Sequence, residues 1–303
     1  MIDRYTHKKL TWLDVINPTA EEVRTLIDEC GVPPEFAGDL LSMTPRTETQ
    51  AKKGVLKITL DFPIVKRTDI DHANEIKFIV TKTHLITIRF DDIEALHRFS
   101  KEFEVFCMLK QKKTSPSTIT LFFTLLTYLY QAMDTKLEYV ETRVKDIEAA
   151  MFAEREREMV FEISQLIRRL IDFRQTIGAH EKALEYLHTD VKTAFTGSHD
   201  AMLDSLEHHY RHVNRSVYAL LSTIEDLRET NNSLLTTKQN EVMKMFTILA
   251  FITFPLTLFT SMFGMNTIAT PILGTPGDFW IILGIMAVVS ISFFAYFKYR
   301  KWF

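Results

Sequence analysis

Two long apolar stretches stand out near the C-terminal end of the sequence. No charged residue occurs between Lys244 and Asp278, and residues 279–297 are again free of charge. About 20 apolar residues in a helix cross a bilayer core of about 30 Å, so residues 245–263 and 279–297 predict two membrane-spanning helices. The residues between them include four turn formers, which predict a short loop over 264–278: Pro271, Gly274, Pro276 and Gly277.

The distribution of basic residues predicts how these helices are oriented. Lys238 and Lys244 precede the first stretch, a basic tail over 298–303 follows the second, and the connecting loop has no Lys or Arg. Positive residues stay on the cytoplasmic side, so both termini are expected in the cytoplasm and the loop outside. The first residues of the chain have no apolar core and do not form a secretory signal. A multi-pass membrane protein is therefore expected, and the family resemblance described below implies the inner, cytoplasmic membrane.

The two apolar stretches differ in polarity. The second is almost wholly aliphatic and aromatic, whereas the first contains Pro255 and five hydroxyl side chains: Thr247, Thr253, Thr257, Thr260 and Ser261. Polar side chains in a membrane favour a protein interior or a water-lined cavity, so the first helix is expected to line an interior. The same hydroxyls can also bond to carbonyls of their own helix, and the sequence leaves both explanations open.

A long helical pattern precedes the first apolar stretch. Its apolar positions alternate spacings of three and four, as in a coiled-coil seam: Leu203, Leu206, Tyr210, Val213, Val217, Leu220, Ile224 and Leu227. No Pro or Gly interrupts residues 198–254, which predicts one continuous helix from about His199 to near Gly264. A second helical region is predicted over residues 119–192, where the charged run 154–158 is expected to be a solvated face.

The N-terminal part has a different pattern. Residues 55–65, 76–80 and 85–90 predict strands, and residues 81–84 a hairpin connection. Thr19 and Glu22 have the spacing of a capping box that opens a helix through Asp28. The predicted fold class is an α+β membrane protein in which a cytoplasmic α/β domain is followed by a coiled-coil-like stalk helix and two membrane helices. The predicted domains are 1–115 (α/β), 116–198 (helical, after a linker near 112–117), 199–244 (stalk), 245–263, 264–278, 279–297 and 298–303.

Composition excludes several functions. The net charge of −3 gives no argument for binding nucleic acid or an acidic substrate. Cys30 and Cys107 are far apart and have no CxxC or Cys/His spacing, so neither a disulfide framework nor a zinc site is expected. No nucleophile–base pair, phosphate-binding loop or metal-ligand cluster with the required spacing is present, so an enzyme is not predicted and no organic cofactor is expected.

Three short motifs around the first apolar stretch match a known family. They are Asn240-Glu241-Val242-Met243-Lys244 at its start, Pro255-Leu256-Thr257 in its middle and Gly264-Met265-Asn266 at its end. With the basic tail that ends in Lys301-Trp302-Phe303, these motifs make the chain resemble the CorA family of magnesium channels. The match is close in the stalk and membrane part, and covers the N-terminal domain only in outline.

The resemblance implies a homopentamer in the lipid bilayer whose first membrane helices surround a pore. Gly264, Met265 and Asn266 would form the selectivity filter for Mg²⁺, with Co²⁺ and Ni²⁺ as further candidate ions. Mg²⁺ gives up its water reluctantly, so Asn266, Thr257 and Asn240 would hold the hydrated ion through its waters. The implied pore-lining positions follow one helical face: Asn240, Met243, Phe246, Ala250, Phe254, Thr257 and Ser261. Of these, Met243, Phe246 and Phe254 would be apolar constrictions that close by dewetting.

The chain also departs from the family pattern. Many members have an acidic loop after the signature, whereas residues 267–277 contain no carboxylate and Asp278 is the only one nearby. Family members are also regulated by Mg²⁺ bound to carboxylates of the cytoplasmic domains, for which Asp204, Glu207 and Asp61 are the candidates here. His208 and His212, one helical turn apart, could hold Zn²⁺ or Ni²⁺, but a solvated or inter-helix role is the simpler interpretation.

Two alternatives remain at the level of the sequence. The first is a zinc transporter of the same fold, with or without proton coupling, because such transporters share the Gly-Met-Asn signature. The second is a membrane-anchored coiled-coil scaffold that transports nothing. A scaffold is expected to be insensitive to Asn266→Ala, and dependence on a proton gradient distinguishes the zinc transporter.

Overall fold

The computed structural model describes residues 1–44, 47–63, 73–108, 117–265, 272, 274 and 276–300. The chain forms two compact units, Met1–Arg228 and Glu229–Phe303. The first unit is built on a six-stranded sheet whose strands lie in the order β1-β2-β6-β5-β4-β3. Their bounds are β1 Ile2–His7, β2 Leu10–Ile16, β3 Glu48–Lys52, β4 Val55–Pro63, β5 Ala73–Val80 and β6 His84–Arg89.

All neighbouring strands pair antiparallel except β2 and β6, which are parallel. The three strands predicted from the sequence correspond to β4, β5 and β6, although β4 ends at Pro63 and the predicted residues 64 and 65 lie outside the described part of the chain. Strands β1, β2 and β3 were not predicted. The α/β character of this region is confirmed.

One face of the sheet packs against the short helices α1 (Ala20–Cys30) and α2 (Ala37–Leu40). The capping box predicted for α1 is present: Thr19 Oγ1 accepts from the Glu22 N–H at 3.2 Å, and the Glu22 carboxylate accepts from the Thr19 N–H at 2.9 Å. Gly31 ends the helix with a φ of 70°, where a residue without Cβ has no steric penalty. The buried core between helix and sheet includes Leu13, Leu26, Ile79 and Ile86.

The other face of the sheet is covered by three longer helices, α3 (Glu94–Met108), α4 (Thr118–Phe152) and α5 (Glu156–Ala194). Trp12 of β2 is fully buried here between Phe99 and Phe103 of α3, and its indole N–H donates to Thr87 Oγ1 at 3.1 Å. Ser117, at the end of the predicted linker, caps α4 by accepting from the Thr120 N–H at 3.2 Å. Residues 112–116 of that linker lie outside the described part of the chain.

The predicted helical region over 119–192 is two helices with a sharp break. Residues 153–155 form a turn between α4 and α5, and Glu154 there has a φ of 65°. The charged run 154–158 is therefore a turn and a helix start. The prediction that this run is a solvated face is wrong for Glu156, which is buried, whereas its other four residues are exposed.

Buried hydrogen bonds of one histidine connect the sheet to α4 and α5. His180 of α5 is completely buried, its Nε2 lies 2.7 Å from the Asp61 carbonyl oxygen and its Nδ1 lies 2.8 Å from Tyr130 Oη. Because a carbonyl only accepts, Nε2 carries the proton and Nδ1 accepts from the tyrosine hydroxyl. Burial lowers the pKa of His180 to about 4, so the ring is neutral near pH 7.

Helix α6 (Asp200–Phe263) contains 64 residues. Six of the eight predicted seam positions are buried, whereas Leu220 and Leu227 are only half-buried and Leu221 is buried beside Leu220. Tyr210 of the seam packs against Tyr130 of α4, and Tyr218, outside the seam, lies beneath the Arg174 guanidinium of α5. The seam therefore finds its partners in α4 and α5 of the same chain. The second unit contains the rest of α6 and helix α7 (Asp278–Tyr299). The long helix that leads to a final apolar helix confirms the predicted fold class.

Candidate ion pathway

The C-terminal part of α6 and the whole of α7 are long and apolar enough to cross a membrane. A core helix of a soluble protein can also be this apolar, but such a helix is mostly buried. Here almost no residue of either apolar stretch is buried against other described residues. Neither stretch lies near the N-terminus, where a signal sequence would be found. Exposed apolar helices of this length fit a lipid environment.

One face of α6 in this stretch is turned towards the protein. Phe251 contacts Phe297 of α7 with ring centroids 6.1 Å apart, and both Phe297 and Ile248 are buried. The less exposed positions recur at helical spacing along the same side: Ile248, Ile252, Pro255, Phe259 and Phe263. This side of α6 is the one that packs within the chain.

The face predicted to line a pore points the other way. At 100° per residue its positions from Met243 to Ser261 lie roughly 140–180° around the helix from the packed face, whereas Asn240 lies about 100° from it. Met243, Phe246 and Phe254 are 58%, 62% and 74% exposed, and Asn240, Thr257 and Ser261 are also exposed, whereas Ala250 is half-buried. A row of exposed large apolar side chains on one helix face marks a surface for association.

The threonine hydroxyls of this segment donate to carbonyls of their own helix. Thr253 Oγ1 donates to the Leu249 carbonyl at 2.6 Å and Thr257 Oγ1 to the Thr253 carbonyl at 2.9 Å, and Thr247 and Thr260 bond in the same manner. A hydroxyl that has donated its proton keeps lone pairs for accepting. Thr257 therefore keeps an acceptor oxygen on the exposed face. Of the two explanations left open by the sequence, bonding to the own helix is observed, and the lining of an interior stays a prediction.

The end of α6 is crowded around Gly264. The Gly264 N–H donates to the Thr260 carbonyl at 2.9 Å, and a Cβ placed on Gly264 would lie 3.0 Å from that same oxygen. Since the neighbouring atom belongs to the backbone, it has little freedom to move aside. Met265 follows and is 60% exposed. Asn266, the third residue of the signature, lies outside the described residues.

Asp278 begins α7 and has two backbone partners. Its carboxylate accepts from the Gly274 N–H at 3.2 Å and from the Phe279 N–H at 2.7 Å. A carboxylate in the first turn is also favoured by the helix dipole. The sequence treated Asp278 only as the single acid of the loop and missed this contact, although an acid directly after Gly277 is a recognisable helix-start signal.

The three carboxylates suggested as regulatory ligands have different surroundings. Asp61 pairs with Glu75 across β4 and β5, and burial together with the Glu75 charge raises the pKa of Asp61. Glu207 accepts from His188 at 2.8 Å and from Arg211 at 2.7 Å. Asp204 is exposed and lines the same groove as Glu207. Among the residues described, no cluster of three or more His, Cys, Asp or Glu could hold a metal ion.

The histidine pair on α6 has an inter-helix contact. His212 Nε2 lies 3.3 Å from the Asp134 carboxylate of α4, and His208 packs edge-on against His209. Both His208 and His212 line the groove that contains Arg211 and Arg215. The contact with the Asp134 carboxylate gives His212 an inter-helix role.

Comparisons with known proteins agree with this architecture. The sequence model of the family described as CorA-like Mg²⁺ transporter protein matches residues 7–300. The cobalt/magnesium transport protein CorA of Thermotoga maritima is 23% identical over 300 residues, which cover 96% of this chain and 83% of that protein.

Two solved structures share the fold. The complete CorA magnesium transporter of Methanocaldococcus jannaschii superposes with a TM-score of 0.76 at 20% identity, covering 99% of this chain and 94% of that one. The full-length CmaX protein gives a TM-score of 0.73 at 16% identity, covering 97% and 89%. At 16–20% identity, these superpositions show a shared fold only. The matched residues come from both units of the chain.

Proposed function

The chain belongs to the CorA-like Mg²⁺ transporter family, and from this premise we propose that it is a channel through which Mg²⁺ enters the cytoplasm. Membership makes it a membrane transporter of divalent cations. The channel mechanism, the preference for Mg²⁺ over Co²⁺, Ni²⁺ or Zn²⁺, and the roles of individual residues are parts of the proposal. So are the inner-membrane location and the cytoplasmic position of both termini.

The observation that carries the proposal is the face of α6 opposite α7. Two membrane helices cannot enclose a water path, so a pore requires several copies of the chain. The exposed face of α6 supplies polar groups at Asn240, Thr257 and Ser261, separated by apolar side chains. We propose that five copies place this face around a central axis while α7 lies outside, towards lipid.

The selectivity filter is assigned to Gly264, Met265 and Asn266. Mg²⁺ keeps several of its waters when it binds to protein, so neutral oxygen acceptors suit the hydrated ion. A ring of Asn266 side-chain oxygens would accept hydrogen bonds from those waters and still release the ion. Gly264 supports this arrangement, because the glycine lets α6 end tightly against the Thr260 carbonyl.

Below the filter, Thr257 and Asn240 would form further rings of acceptors for the hydrated ion. The exposed side chains of Met243, Phe246 and Phe254 would close the path, since a narrow apolar constriction loses its water. The inside-negative potential supplies the driving force. At about 2.3 kcal/mol per charge per 100 mV, a divalent cation gains roughly 4.6 kcal/mol on entry at 100 mV.

We extend the proposal to control by internal Mg²⁺, which would stabilise the closed oligomer. Of the three candidate carboxylates, Glu207 is held by His188 and Arg211, and Asp61 is half-buried with a raised pKa. Asp204 is exposed, and we place the regulatory contact there first. Transport that is unchanged by millimolar internal Mg²⁺ contradicts this part of the proposal alone.

The experiment is cation influx into proteoliposomes that contain the purified full-length chain. Mg²⁺ influx driven by an inside-negative potential and abolished in Asn266→Ala is expected. Ser292→Ala is the matched control, because Ser292 lies in α7 and its hydroxyl donates to its own helix at the Val288 carbonyl. Proton-dependent Zn²⁺ influx without Mg²⁺ influx contradicts the proposed ion, and absence of any flux supports the scaffold alternative.

A further inference from the structure

A cavity in the first unit has no place in the proposed ion pathway. Its volume is about 680 Å³, and it lies between the start of β5, the start of α3 and one side of α4. None of the residues assigned above to the pore, the filter or regulation lines it. A volume of this size falls in the range of sites for small organic ligands.

Most of the polar groups around the cavity already have partners in the protein. The Arg98 guanidinium bonds to the Glu94 carboxylate at 2.5 Å, and the Asp92 carboxylate accepts from Arg89 at 3.0 Å. The Tyr128 hydroxyl donates to Glu102 at 2.9 Å. The charges of Asp92 and Glu94, near the start of α3, are thus neutralised by neighbouring arginines.

Asn74 is the exception at the base of the cavity. It is only 5% exposed, and its Oδ1 has no hydrogen-bond partner in the described part of the chain. A buried amide oxygen without a donor is unfavourable, and such atoms are rare unless a further group satisfies them. Asn74 therefore leaves an acceptor available for an incoming N–H or O–H.

Lys136 of α4 supplies a cation close to the same point. Its Nζ makes one long hydrogen bond, 3.4 Å, to the Pro63 carbonyl. Pro63 follows Phe62, which is the register partner of Asn74 across β4 and β5. Burial lowers the pKa of Lys136, whereas the Glu94 charge raises it. An ammonium group with one weak partner in a partly buried place attracts an anionic oxygen.

We propose that this cavity binds a small organic anion that also carries a hydroxyl or amine group. The anionic oxygen pairs with the Lys136 ammonium, and the hydroxyl or amine donates to Asn74 Oδ1. The aromatic rings of Tyr128 and Tyr139 line the sides of the site. A bare cation does not fit the cavity, because Asp92 and Glu94 are already paired with arginines and Lys136 repels positive charge.

The test is isothermal titration of the purified full-length protein, in detergent and without divalent cations. Citrate, glutamate and inorganic phosphate serve as separate probes. Saturable binding of citrate or glutamate, at least tenfold tighter than that of phosphate, is expected because phosphate is small for a cavity of this volume. Equal affinity for all three, or no saturable heat with any of them, overturns the proposal.

Two substitutions of Lys136 test whether the ligand binds in this cavity. Lys136→Met is expected to weaken binding at least tenfold, and Lys136→Gln, which keeps polarity at the position, gives the same loss. Lys145→Met is the matched control, because Lys145 lies on the same helix but is 70% exposed and paired with Glu141. Binding that survives both Lys136 variants contradicts the assignment. The outcome does not depend on transport, so it is independent of the proposed channel.

Discussion

At the scale of single residues, the glycines Gly264 and Gly284 differ in the atoms that surround them. Gly264 has no Cβ, and one placed there would lie 3.0 Å from the Thr260 carbonyl oxygen, a tight contact that requires a small shift of the backbone. Gly284 of α7 differs, because beyond its chain neighbours and the backbone of its own helix no atom lies within 4 Å of a Cβ placed there. The two glycines thus form a natural pair for separating a steric requirement from the general cost of glycine in a helix.

Gly264→Ala is expected to destabilise the end of α6 by at least about 1 kcal/mol, as crowding against fixed atoms does. Because the filter is assigned to this end, Mg²⁺ influx into proteoliposomes is expected to fall severalfold. Gly284→Ala is expected to leave influx unchanged and to gain up to about 1 kcal/mol in helix stability. Equal Mg²⁺ influx in the two variants would show that the contact between Gly264 and Thr260 does not affect ion flow.

His180 gives a second prediction at this scale, on the dependence of stability on pH. Its pKa is about 4 in the folded chain and 6.5 in the reference state, so between these values the unfolded chain binds more protons. The free energy of unfolding therefore falls as the pH decreases through 6.5 towards 4, by up to about 3 kcal/mol from this residue. Above pH 6.5 the contribution is constant.

Urea unfolding of the full-length protein followed by circular dichroism measures this slope. His180→Leu is expected to be less stable at pH 7, because Tyr130 and the Asp61 carbonyl lose their partner, but to show a shallower decrease between pH 6.5 and 4. His212→Leu serves as a control, since His212 is largely exposed. A slope unchanged in His180→Leu would assign the pH dependence to other groups.

At the scale of elements, α6 has two chemically different faces in its apolar part. Phe251 contacts Phe297 of α7, whereas Phe254 is 74% exposed and belongs to the face assigned to the pore. The two phenylalanines have the same volume and lie one turn apart, so truncating them separates packing within the chain from closure of the proposed pore.

Phe254→Ala is expected to raise resting Mg²⁺ influx severalfold in proteoliposomes with high internal Mg²⁺, because a wider constriction stays wet. Phe251→Ala is expected to lower thermal stability in detergent without raising resting influx, since it removes the ring contact with Phe297 of α7. If the leak appears in Phe251→Ala instead, the face assigned to the pore is wrong.

The elements also show what the sequence could predict. Helix α6 and the capping box of α1 depend on local patterns, and both were predicted. Strands β1 and β3 are short and polar, and they are recognised as strands through their pairing with β2 and β4. The break at 153–155 contains neither Gly nor Pro, so no local signal marked the positive φ of Glu154.

The same distinction applies to the candidate site. The face of α6 follows from helical spacing, and the signature residues were identified by their resemblance to a family. The close approach of Gly264 to Thr260 and the contacts of Asp278 depend on how the chain turns, which spacing does not determine. Glu75 beside Asp61 and His188 beside Glu207 come from other elements, so the sequence could not distinguish these acids from solvated ones.

At the scale of the whole molecule, the proposed pore requires that copies of α6 face one another. In a background of Cys30→Ala and Cys107→Ser, Ser261→Cys is expected to give abundant cross-linked dimers with a short bifunctional thiol reagent, because the single thiol of each chain can join only one other chain. Phe259→Cys, on the side that packs within the chain, is expected to give far less. Denaturing gel electrophoresis after reaction in membranes measures both, and the reverse pattern would place α7 at the axis.

The surroundings of Trp12 make it an optical reporter of the N-terminal sheet. The sequence has three tryptophans, and the other two, Trp280 and Trp302, belong to the second unit. Replacing these two by phenylalanine leaves one indole, fully buried and hydrogen-bonded to Thr87. Its emission should be blue-shifted in the native chain and move to longer wavelength only when this sheet opens. Fluorescence would then distinguish unfolding of the N-terminal sheet from disruption of the membrane segment within a single sample.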